Sequence, residues 1–549
     1  MIRKDKGKRT RSASRTNNLT TVILIAYLIM LLIRIPLGNM TGDAGMAYFS
    51  PAGEIYLMIS FIFSCAYSFA VESLIKYRIR REQYRSAGKV LRWSMEIAIL
   101  SGGIISLALL LGYRFVADII VLEPYSALAV VMMSLSAICL AVTSVLRGYF
   151  QGIGTRVPTI HSWLLERIIF VGFSFVLVSL FGGYGQKVAN LLHLTQYRAS
   201  YQVMGIAAAL LLAGMITMIH MIVIYTLYNS KMKRQKINDS TRTMDSRLNT
   251  YRMLLVSGVP NGACILMLMC GNLIQQRIYY YYGNIRGAAA ENAVNWGIYY
   301  GKYMTIIGGL CVLCCMIPGR QIKKIAKLIA REDIREARDQ IRITFHKTLL
   351  MSAPLAVFAA VAGDLAGSIF WKGNQKLLSG LIPLGSILIC LIPLAFLMGG
   401  ILYYLRQPGR MLLYSAAALI IQTGVCSLFL AGTKMDVEAV VLSTIVYAVI
   451  LLAAFCFEIF RQTKYVPEWL RGVVIPLGTA AVSGLLQLLL KTVLSSVIGG
   501  LFTLLICLAV GIIVYGILLI ILRGVNEEEL NQIPGGFLFI QVAKMIHFM

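Results

Sequence analysis

Charged residues are scarce in this chain of 549 residues, and acidic residues are the scarcer kind, with 24 Asp and Glu against 51 Lys and Arg. Charged side chains make up 14% of the sequence, whereas a soluble domain has about a quarter. Hydrophobic residues make up 58%, and the mean hydropathy is +0.75. The charges are too few to cover a globular surface, so the composition excludes an ordinary soluble protein.

Motifs for nucleotide-driven, metal or enzyme chemistry are also missing. No G-x-x-x-x-G-K-[ST] phosphate loop occurs, and every loop is too short for a nucleotide-binding domain. Cys311, Cys314 and Cys315 form a C-x-x-C-C cluster, but no His or carboxylate stands beside it, so we predict no metal site. The longest outward loop, 182–201, is short for the catalytic platform of a membrane enzyme. We therefore expect neither an enzyme nor a cofactor.

Apolar runs of about 20 residues recur along the whole chain, the length that a helix needs to cross about 30 Å of hydrocarbon. No alternating strand pattern accompanies them. The sequence thus predicts an all-α polytopic membrane protein of about 14 transmembrane helices. The predicted spans are 19–37, 49–73, 93–113, 125–146, 160–181, 202–228, 254–281, 293–317, 348–370, 379–403, 411–431, 438–460, 472–490 and 497–522.

Lys and Arg fall mainly in alternate loops between these spans. One side of the predicted membrane carries 39 of the 51, in the two tails and in loops such as 76–92, 231–252 and 320–347, and the other side carries only eight. The positive-inside rule then places both termini in the cytoplasm of a cell-membrane protein with an even number of spans. The net charge of +27 therefore indicates topology and attraction to anionic lipids, and we expect no nucleic-acid partner.

Two pairs of segments suggest an internal repeat. REQYRSAGKVLR at 81–92 resembles REDIREARDQIR at 331–342, and GYFQGIGTR at 148–156 resembles YYLRQPGR at 403–410. The spacing predicts a parallel repeat of six helices, with two C-terminal helices left over. The predicted domains are a basic tail 1–18, a six-helix lobe 19–250, a second six-helix lobe 251–465, helices 13 and 14 in 466–522, and a tail 523–549.

Charged side chains inside spans are the candidates for function, because each costs about 2.5–3.5 kcal/mol on an insertion scale. Lys302 lies nine residues into its span and either lines a cavity or forms a structural ion pair. Arg34 and Arg277 lie near outer span ends, where snorkelling to headgroups is the alternative, and Glu72 can pair with Lys76 on one helix face. The candidate cavity residues are Arg34, Arg277, Lys302, Tyr299, Asn295 and Glu72.

The remaining charged residues inside the predicted spans argue against a carrier of cations. Glu166 and Arg167 are adjacent, so we expect them to point in different directions and to pack the lobe through separate partners. Carboxylates deep in spans are scarce, with Glu72, Glu96 and Glu166 in the first lobe. A cavity with net positive charge favours an anionic substrate.

Three segments have a pattern found in a known family: RIPLGNMTGDAGMAYF at 34–49, LRGYFQGIGTRVPTIHSWLLE at 146–166 and, more loosely, SGVPNGACILMLMCGNLI at 257–274. Through them the sequence resembles the polysaccharide-exporter branch of the MOP (multidrug/oligosaccharidyl-lipid/polysaccharide) superfamily. The resemblance is greatest to the group of stage V sporulation protein B and the lipid II flippases. The matched motif residues, expected to be structural, are Gly42, Asp43, Gly45, Arg147, Gly148, Tyr149, Phe150, Gln151, Gly152, Pro158 and Glu166.

This resemblance implies a MATE-like fold of 14 helices in two lobes, with helices 13 and 14 forming a groove for a lipid tail. It also implies outward transport of undecaprenyl-pyrophosphate-linked saccharides, and Arg34 matches the family's arginine in span 1. The chain departs from the family at Ala66-Tyr67-Ser68 in place of GLP, at Gln275 in place of an acidic residue, and at Lys302 in place of an apolar one.

The sequence therefore predicts a monomeric flippase that moves a lipid-linked anionic saccharide, such as lipid II or a polysaccharide repeat unit, between leaflets by alternating access. A MATE-like ion-coupled antiporter for small molecules is the alternative, and a membrane enzyme of glycan assembly is the third hypothesis. The driving force is left open between Na⁺, H⁺ and the membrane potential. The other expected partners are membrane lipids.

Overall fold

A computed structural model describes residues 19–237, 239, 246–373, 375–433, 435–495, 498–522 and 524–525. The predicted tail 1–18, nearly all of the tail 523–549, and Lys434 lie outside these residues. The described chain is helical and contains no strand, so the all-α prediction is confirmed. The helices are α1 (Leu19–Leu32), α2 (Arg34–Phe63), α3 (Phe69–Ile79), α4 (Tyr84–Leu111), α5 (Ala127–Ser134), α6 (Ser136–Ile153), α7 (Val157–Leu192), α8 (Gln196–Ile237), α9 (Arg247–Met269), α10 (Gly271–Ile285), α11 (Ala289–Gly297), α12 (Met304–Ile329), α13 (Ile334–Phe370), α14 (Lys376–Gly385), α15 (Leu388–Tyr404), α16 (Pro408–Gly432), α17 (Val437–Thr463), α18 (Ile475–Leu494) and α19 (Gly500–Ile521).

Shorter helical turns connect several of these helices. The π-helical turns are Ser64–Ser68, Phe115–Val121, Ile298–Tyr303 and Trp469–Val474, and a 3₁₀ turn occupies Pro124–Ser126. Such turns rotate the side chains that follow them relative to a regular helix, and π-bulges are frequent at functional sites. Two of these turns, Phe115–Val121 and Ile298–Tyr303, carry residues discussed below.

Eleven helical segments of the described chain are long and apolar enough to cross a membrane, and thirteen qualify if each of two bent helix pairs counts as one span. The bent pairs are Pro124–Ser134 with Ser136–Ile153, and Lys376–Gly385 with Leu388–Tyr404. The predicted first span is shorter than expected, because α1 ends at Leu32 and is about 20 Å long at 1.5 Å per residue. The chain is a multi-pass membrane protein, and each predicted span overlaps a helix.

The boundary between the first two predicted spans differs from the prediction for a local reason. The segment Arg34–Ile79 is continuous except at Gly42, whose φ of 76° and ψ of 173° interrupt α2. Residues with a side chain rarely adopt this positive φ, so the position favours glycine. The turn at Ile33 ends α1. The kink at Gly42 then separates the first residues of α2 from the long helix that follows.

The two segments of the first sequence echo have the same backbone conformation. Glu82 and Glu332 both adopt a positive φ, of 58° and 65°. The following residue in each turn donates its backbone N–H back across the turn, from Gln83 to the carbonyl of Arg78 and from Asp333 to that of Leu328. The sequence similarity at an offset of 250 residues therefore extends to the hydrogen bonds of the turns that precede α4 and α13.

The chain forms two compact units, which do not follow a single cut in the sequence. The first comprises residues up to Gly301 together with Pro408–Lys434, and the second comprises Lys302–Gln407 together with the residues from Met435 onwards. In the first unit α7 packs along α8, and α16 packs on α9 and α10. The division into lobes 19–250 and 251–465 remains a prediction.

In the second unit, α18 and α19 pack on α13. Lys491 on α18 lies 2.7 Å from the carboxylate of Asp364 on α13 and also donates to the carbonyl of Val361. Gly484 provides a close approach, since a Cβ there would overlap Cγ1 of Val357. Helix α18 is thus fixed to α13 by an ion pair and a glycine, and the role of the two extra helices as a lipid-tail groove remains a prediction.

Candidate functional site

The guanidinium of Arg34 is buried at the start of α2 and is held by one tyrosine. Nη1 donates to the carbonyl oxygen of Tyr300 at 3.0 Å, and Nη2 donates to the hydroxyl of the same residue at 2.9 Å. The Cζ atom lies 3.9 Å from the centroid of the Tyr300 ring, a distance at which the cation attracts the π face. Because Tyr300 lies on the turn Ile298–Tyr303, the contact joins segments 266 residues apart.

Glu54 balances the charge of Arg34 only loosely. Its Oε1 lies 3.9 Å from Nη2 of Arg34, and its Oε2 accepts a long hydrogen bond of 3.4 Å from Asn272 on α10. Nε of Arg34 has no hydrogen-bond partner among the residues that the structure describes. Arginine has five N–H donors in a planar fork suited to phosphate and carboxylate, so this group retains capacity to bind an anion.

Glycine residues allow the helices around Arg34 to approach closely. A Cβ at Gly53 would lie 2.5 Å from the hydroxyl of Tyr300, and one at Gly297 would overlap the carbonyl oxygen of Asp43. The motif residues Gly42 and Asp43 therefore lie where α2 meets α11. Close backbone approach through small residues is how membrane helices gain packing energy in the absence of a hydrophobic driving force.

A second buried cluster centres on Glu166 of α7. Its Oε2 accepts a hydrogen bond of 2.9 Å from Nη2 of Arg147, and its Oε1 accepts one of 2.7 Å from the Tyr56 hydroxyl. Arg167 also reaches Oε1, at 3.2 Å, so the prediction that Glu166 and Arg167 have separate partners was wrong. The π-face of Trp163 covers Arg147 at 4.1 Å. One carboxylate thus compensates two guanidinium groups, which leaves the cluster with one excess positive charge.

The RGYFQG motif accounts for the packing of α6. Gly148 and Gly152 lie one turn apart, and a Cβ at either would come within 2.7 Å of the segment that begins with Ser68 and contains Ile75. On the other side, Tyr149 and Phe150 make edge-to-face contacts with Tyr225 and Tyr228 of α8. The geometry gives these residues contacts typical of helix packing.

The remaining motif residues shape the connection from α6 to α7. Pro158 lies in the first turn of α7, where its fixed φ suits a helix start. Ser162 accepts a hydrogen bond of 2.8 Å from Nε of Arg147. Thr159 donates to the carbonyl of Arg147 at 3.3 Å. Hydrogen bonds therefore hold Arg147 through both its side chain and its backbone carbonyl. Gln151 is half-buried on α6, and Gly45 packs tightly on Thr41.

The predicted cavity residues fall in different places. Lys302 and Tyr299 are buried on the same π-helical turn as Tyr300, and Asn295 is half-buried on α11. Arg277 is exposed and donates through Nη1 to the carbonyl of Ile119 in the turn Phe115–Val121. It is therefore bonded to this turn rather than to the residues that hold Arg34. Glu72 is half-buried on α3.

Two acidic residues in the first unit were missed by the sequence reasoning. Glu54 lies five residues inside the predicted span 49–73, so a search of that span for carboxylates would have found it. Glu123 is buried in the short connection before Pro124, just outside the predicted span 125–146, and no motif marks it. Neither residue has a sequence signal that names its partner.

The cysteines give no indication of a metal site. Cys311, Cys314, Cys315 and Cys390 are all buried. Within the described ranges, no group of three or more His, Cys, Asp or Glu residues is arranged to hold a metal ion. The cysteines occupy apolar packing positions, as is common for this residue.

Several solved transporters have a similar fold. An inward-facing multidrug resistance MATE family transporter of the MOP superfamily has a TM-score of 0.57 at 12% identity, covering 81% of this chain and 98% of its own. A MATE in complex with MaD3S has a TM-score of 0.58 at 13% identity, with 82% and 96% covered. A MOP superfamily transporter from Pyrococcus furiosus has a TM-score of 0.56 at 15% identity, with 82% and 95% covered.

Sequence comparison identifies the family. Comparison with curated proteins finds no match. The family described as polysaccharide biosynthesis protein matches residues 15–307, which include both buried arginine clusters. Because this match covers more than half of the chain, the protein belongs to the polysaccharide biosynthesis protein family, and its fold is that of the MOP superfamily transporters.

Proposed function

We propose that the protein is a membrane transporter that moves a lipid-linked anionic saccharide from the inner to the outer leaflet by alternating access. Membership of the polysaccharide biosynthesis family supports a saccharide substrate, and the similarity to MOP transporters supports a transporter fold. The observation that carries the proposal is the buried Arg34, whose Nε has no partner among the described residues and whose nearest carboxylate is 3.9 Å away.

The chemistry of Arg34 suits a pyrophosphate group. A buried guanidinium is unfavourable unless it is well paired, and Arg34 is held by one tyrosine and one distant carboxylate. A pyrophosphate brings more than one negative charge and several acceptor oxygens, which an arginine fork binds through charge-assisted hydrogen bonds. Arg34 is buried in the present conformation, so binding requires the opening that alternating access provides.

The distribution of buried charge disfavours the MATE-like alternative. A carrier of cations needs carboxylates in its spans that are available to its substrate. Glu166 of α7 is shared by two arginines, and Glu54 of α2 faces Arg34 and Asn272. The buried Glu123 lies in the connection before Pro124 and not in a long helix. For the P. furiosus transporter of the same fold, a reversed polarity of the binding pocket suggests a different function. The polarity of the pocket thus differs between proteins of this fold, and the buried arginines favour an anion here.

The decisive experiment uses purified protein in vesicles. A fluorescent undecaprenyl-pyrophosphate saccharide is incorporated, and its movement between leaflets is followed by quenching from outside. Ethidium efflux is measured in parallel vesicles. We expect lipid movement that depends on the protein and no ethidium efflux. Efflux without lipid movement would support the antiporter and contradict the flippase.

Variants test whether this activity depends on Arg34. Arg34→Gln should abolish most lipid movement, and Arg34→Lys should retain part of it, because a lysine keeps the charge but not the planar fork. The matched control is Arg247→Gln, which removes an arginine that is 62% exposed and paired with Glu96 at the surface. Equal activity of Arg34→Gln and Arg247→Gln, with both proteins folded, would show that Arg34 does not bind the substrate.

A further inference from the structure

Glu123 is a buried carboxylate with no basic partner. It lies in the connection from α4 to α5, between the π-helical turn Phe115–Val121 and the 3₁₀ turn Pro124–Ser126, and is 4% exposed. The structure records no ion pair within 4 Å of Glu123 in the described part of the chain, whereas Glu54 and Glu166 both face arginines. A buried carboxylate without a cation favours the protonated form.

The groups that face Glu123 are mostly tyrosines. Tyr280 of α10 and Tyr125 lie beside the carboxyl group of Glu123, and Tyr48 of α2 lies close enough to interact with it. From α8, Tyr197 packs edge-to-face on Tyr125, and α5 contributes no ionisable side chain.

The charged groups on the neighbouring elements point elsewhere. Arg277 of α10 binds the carbonyl of Ile119, and Arg114 and Asp118 are exposed on the segment itself. Burial raises the pKa of Glu123 from 4.5 to about 7.

The connection is docked on helices that the sequence assigns to different lobes. The segment 115–126, which we name the docking segment, belongs to the predicted lobe 19–250, whereas α10 belongs to the predicted lobe 251–465. Arg277 of α10 binds the docking segment at Ile119, and Tyr280 of α10 lies beside Glu123. The charge distribution predicts this connection on the outer side of the membrane.

The docked conformation also contains backbone strain. Leu122, immediately before Glu123, has a φ of 61° and a ψ of 33°, a left-handed conformation that is unfavourable for a residue with a branched side chain. The contacts with α10 and α2 hold the segment in this state. Weakening them would let the backbone relax.

We propose that Glu123 is a proton-binding site that keeps the docking segment closed on α10 while it is protonated and releases the segment when it loses the proton. Loss of the proton leaves an anion in a site with no cation. Opening the site to water then lowers the free energy, because water solvates the anion. This inference rests on the proposed function only in making the segment an outer gate of the transport cycle. Proton binding itself is independent of the substrate.

The gate is measured without substrate. In a background in which the native cysteines are replaced, spin labels are placed at the exposed residues Phe115 and Tyr281, and their distance is measured by electron spin resonance in nanodiscs. At about pH 5.5 we expect one short distance, and at about pH 8.5 a longer one should dominate. The ratio of the longer to the shorter distance should rise by up to about tenfold per pH unit between about pH 4.5 and 7 and level off above that range.

Two variants decide the assignment. Glu123→Gln should show the short distance at both pH values, and Asp118→Asn, which changes an exposed carboxylate on the same segment, should behave as the wild type. A wild-type distance that does not change with pH, or a Glu123→Gln protein that still responds, would overturn the proposal.

The two proposals can fail separately. A pH-dependent distance without lipid movement in vesicles would support the proton site and contradict the proposed lipid-linked substrate. Lipid movement without a pH-dependent distance would support the proposed substrate and contradict the proton site.

Discussion

Removing the charge of Glu166 should destabilise the protein much more than removing the charge of a surface glutamate. Glu166 accepts hydrogen bonds from Arg147 at 2.9 Å and Tyr56 at 2.7 Å and pairs with Arg167 at 3.2 Å. Both arginines and the glutamate are at most 2% exposed. The variant Glu166→Gln keeps the shape of the side chain and leaves two guanidinium groups without an anion.

The magnitude follows from the burial of the cluster. Removing one partner of a buried ion pair costs about 3–5 kcal/mol, since an uncompensated charge remains. The matched control is Glu96→Gln, whose carboxylate lies 2.7 Å from Arg247 in a pair that is 40% and 62% exposed. An exposed pair contributes about 0–1 kcal/mol. The two pairs have similar distances, so the difference of about 3 kcal/mol, roughly a hundredfold in equilibrium constant, comes from burial.

The cysteines of the protein provide the assay. All of them are buried or half-buried in the structure, so a dye that becomes fluorescent on reaction with thiols reports unfolding in detergent. Glu166→Gln should unfold at a clearly lower temperature than the wild type, and Glu96→Gln should unfold close to it. If the two variants unfold together, the cluster is not an energetic unit and the argument from burial fails.

A second substitution checks the mechanism of the loss. In the wild type, Arg167→Met breaks the contact with Glu166, but in the Glu166→Gln background it removes a guanidinium that has no anion. We therefore expect Arg167→Met to be less harmful, or stabilising, in that background. The coupling between two contacting residues is measured by this double-mutant cycle. Additive effects would show that the two residues act independently.

Three further predictions concern packing, transport and pH. Gly148→Ala should destabilise by about 1–3 kcal/mol, because its Cβ would lie 2.7 Å from the carbonyl oxygen of Ser68, whereas Gly103→Ala meets nothing within 4 Å and should be tolerated in the same thermal assay. Lys302→Ala should fold and lose most lipid movement, and Lys302→Arg should keep part; full activity of the alanine variant would exclude Lys302 from the binding site. The native state binds the Glu123 proton more tightly than the unfolded chain, so the contribution of Glu123 to stability should be greatest below about pH 4.5 and be lost, by up to about 3 kcal/mol, as pH rises through about 7. This loss should be absent in Glu123→Gln, as urea unfolding at several pH values would show.

The sequence predicts the helices well because the membrane imposes one simple requirement on them. Each span needs about 20 apolar residues, and hydropathy alone detects such runs. The bends are harder to predict. The kink at Gly42 depends on a single backbone φ, and the break in the helix pair Pro124–Ser134 and Ser136–Ile153 has no sequence marker beyond the first proline. Local conformation at these points is decided by packing against neighbouring helices.

The partners of the buried charges could not be predicted from one sequence. Arg34 was recognised as a candidate from its position in a span, but its bonds to Tyr300 cross 266 residues. The contact of Arg167 with Glu166 was missed, because neighbours on a helix usually diverge, yet both side chains here converge on the space beside Tyr56. Charge in a span indicates importance, and only the fold shows which charge compensates which.

The quality of this compensation separates structural charges from functional ones. Arg147 and Arg167 lie 2.9 and 3.2 Å from one carboxylate, and a group paired so closely contributes mainly to the folded state. Arg34 lies 3.9 Å from its nearest carboxylate, on Glu54. Its Nε, like that of Arg167, has no hydrogen-bond partner among the described residues, a state that costs free energy unless a ligand completes it. Substitutions at Glu166 should therefore appear as losses of stability, and substitutions at Arg34 as losses of transport in a protein that still folds. Proteins retain poorly satisfied polar groups chiefly where function requires them, and the family match covers both arginine clusters. The longer distance from Arg34 to its carboxylate is thus the physical reason for proposing substrate binding at Arg34 rather than at the RGYFQG motif, although the motif is the more recognisable of the two in the sequence.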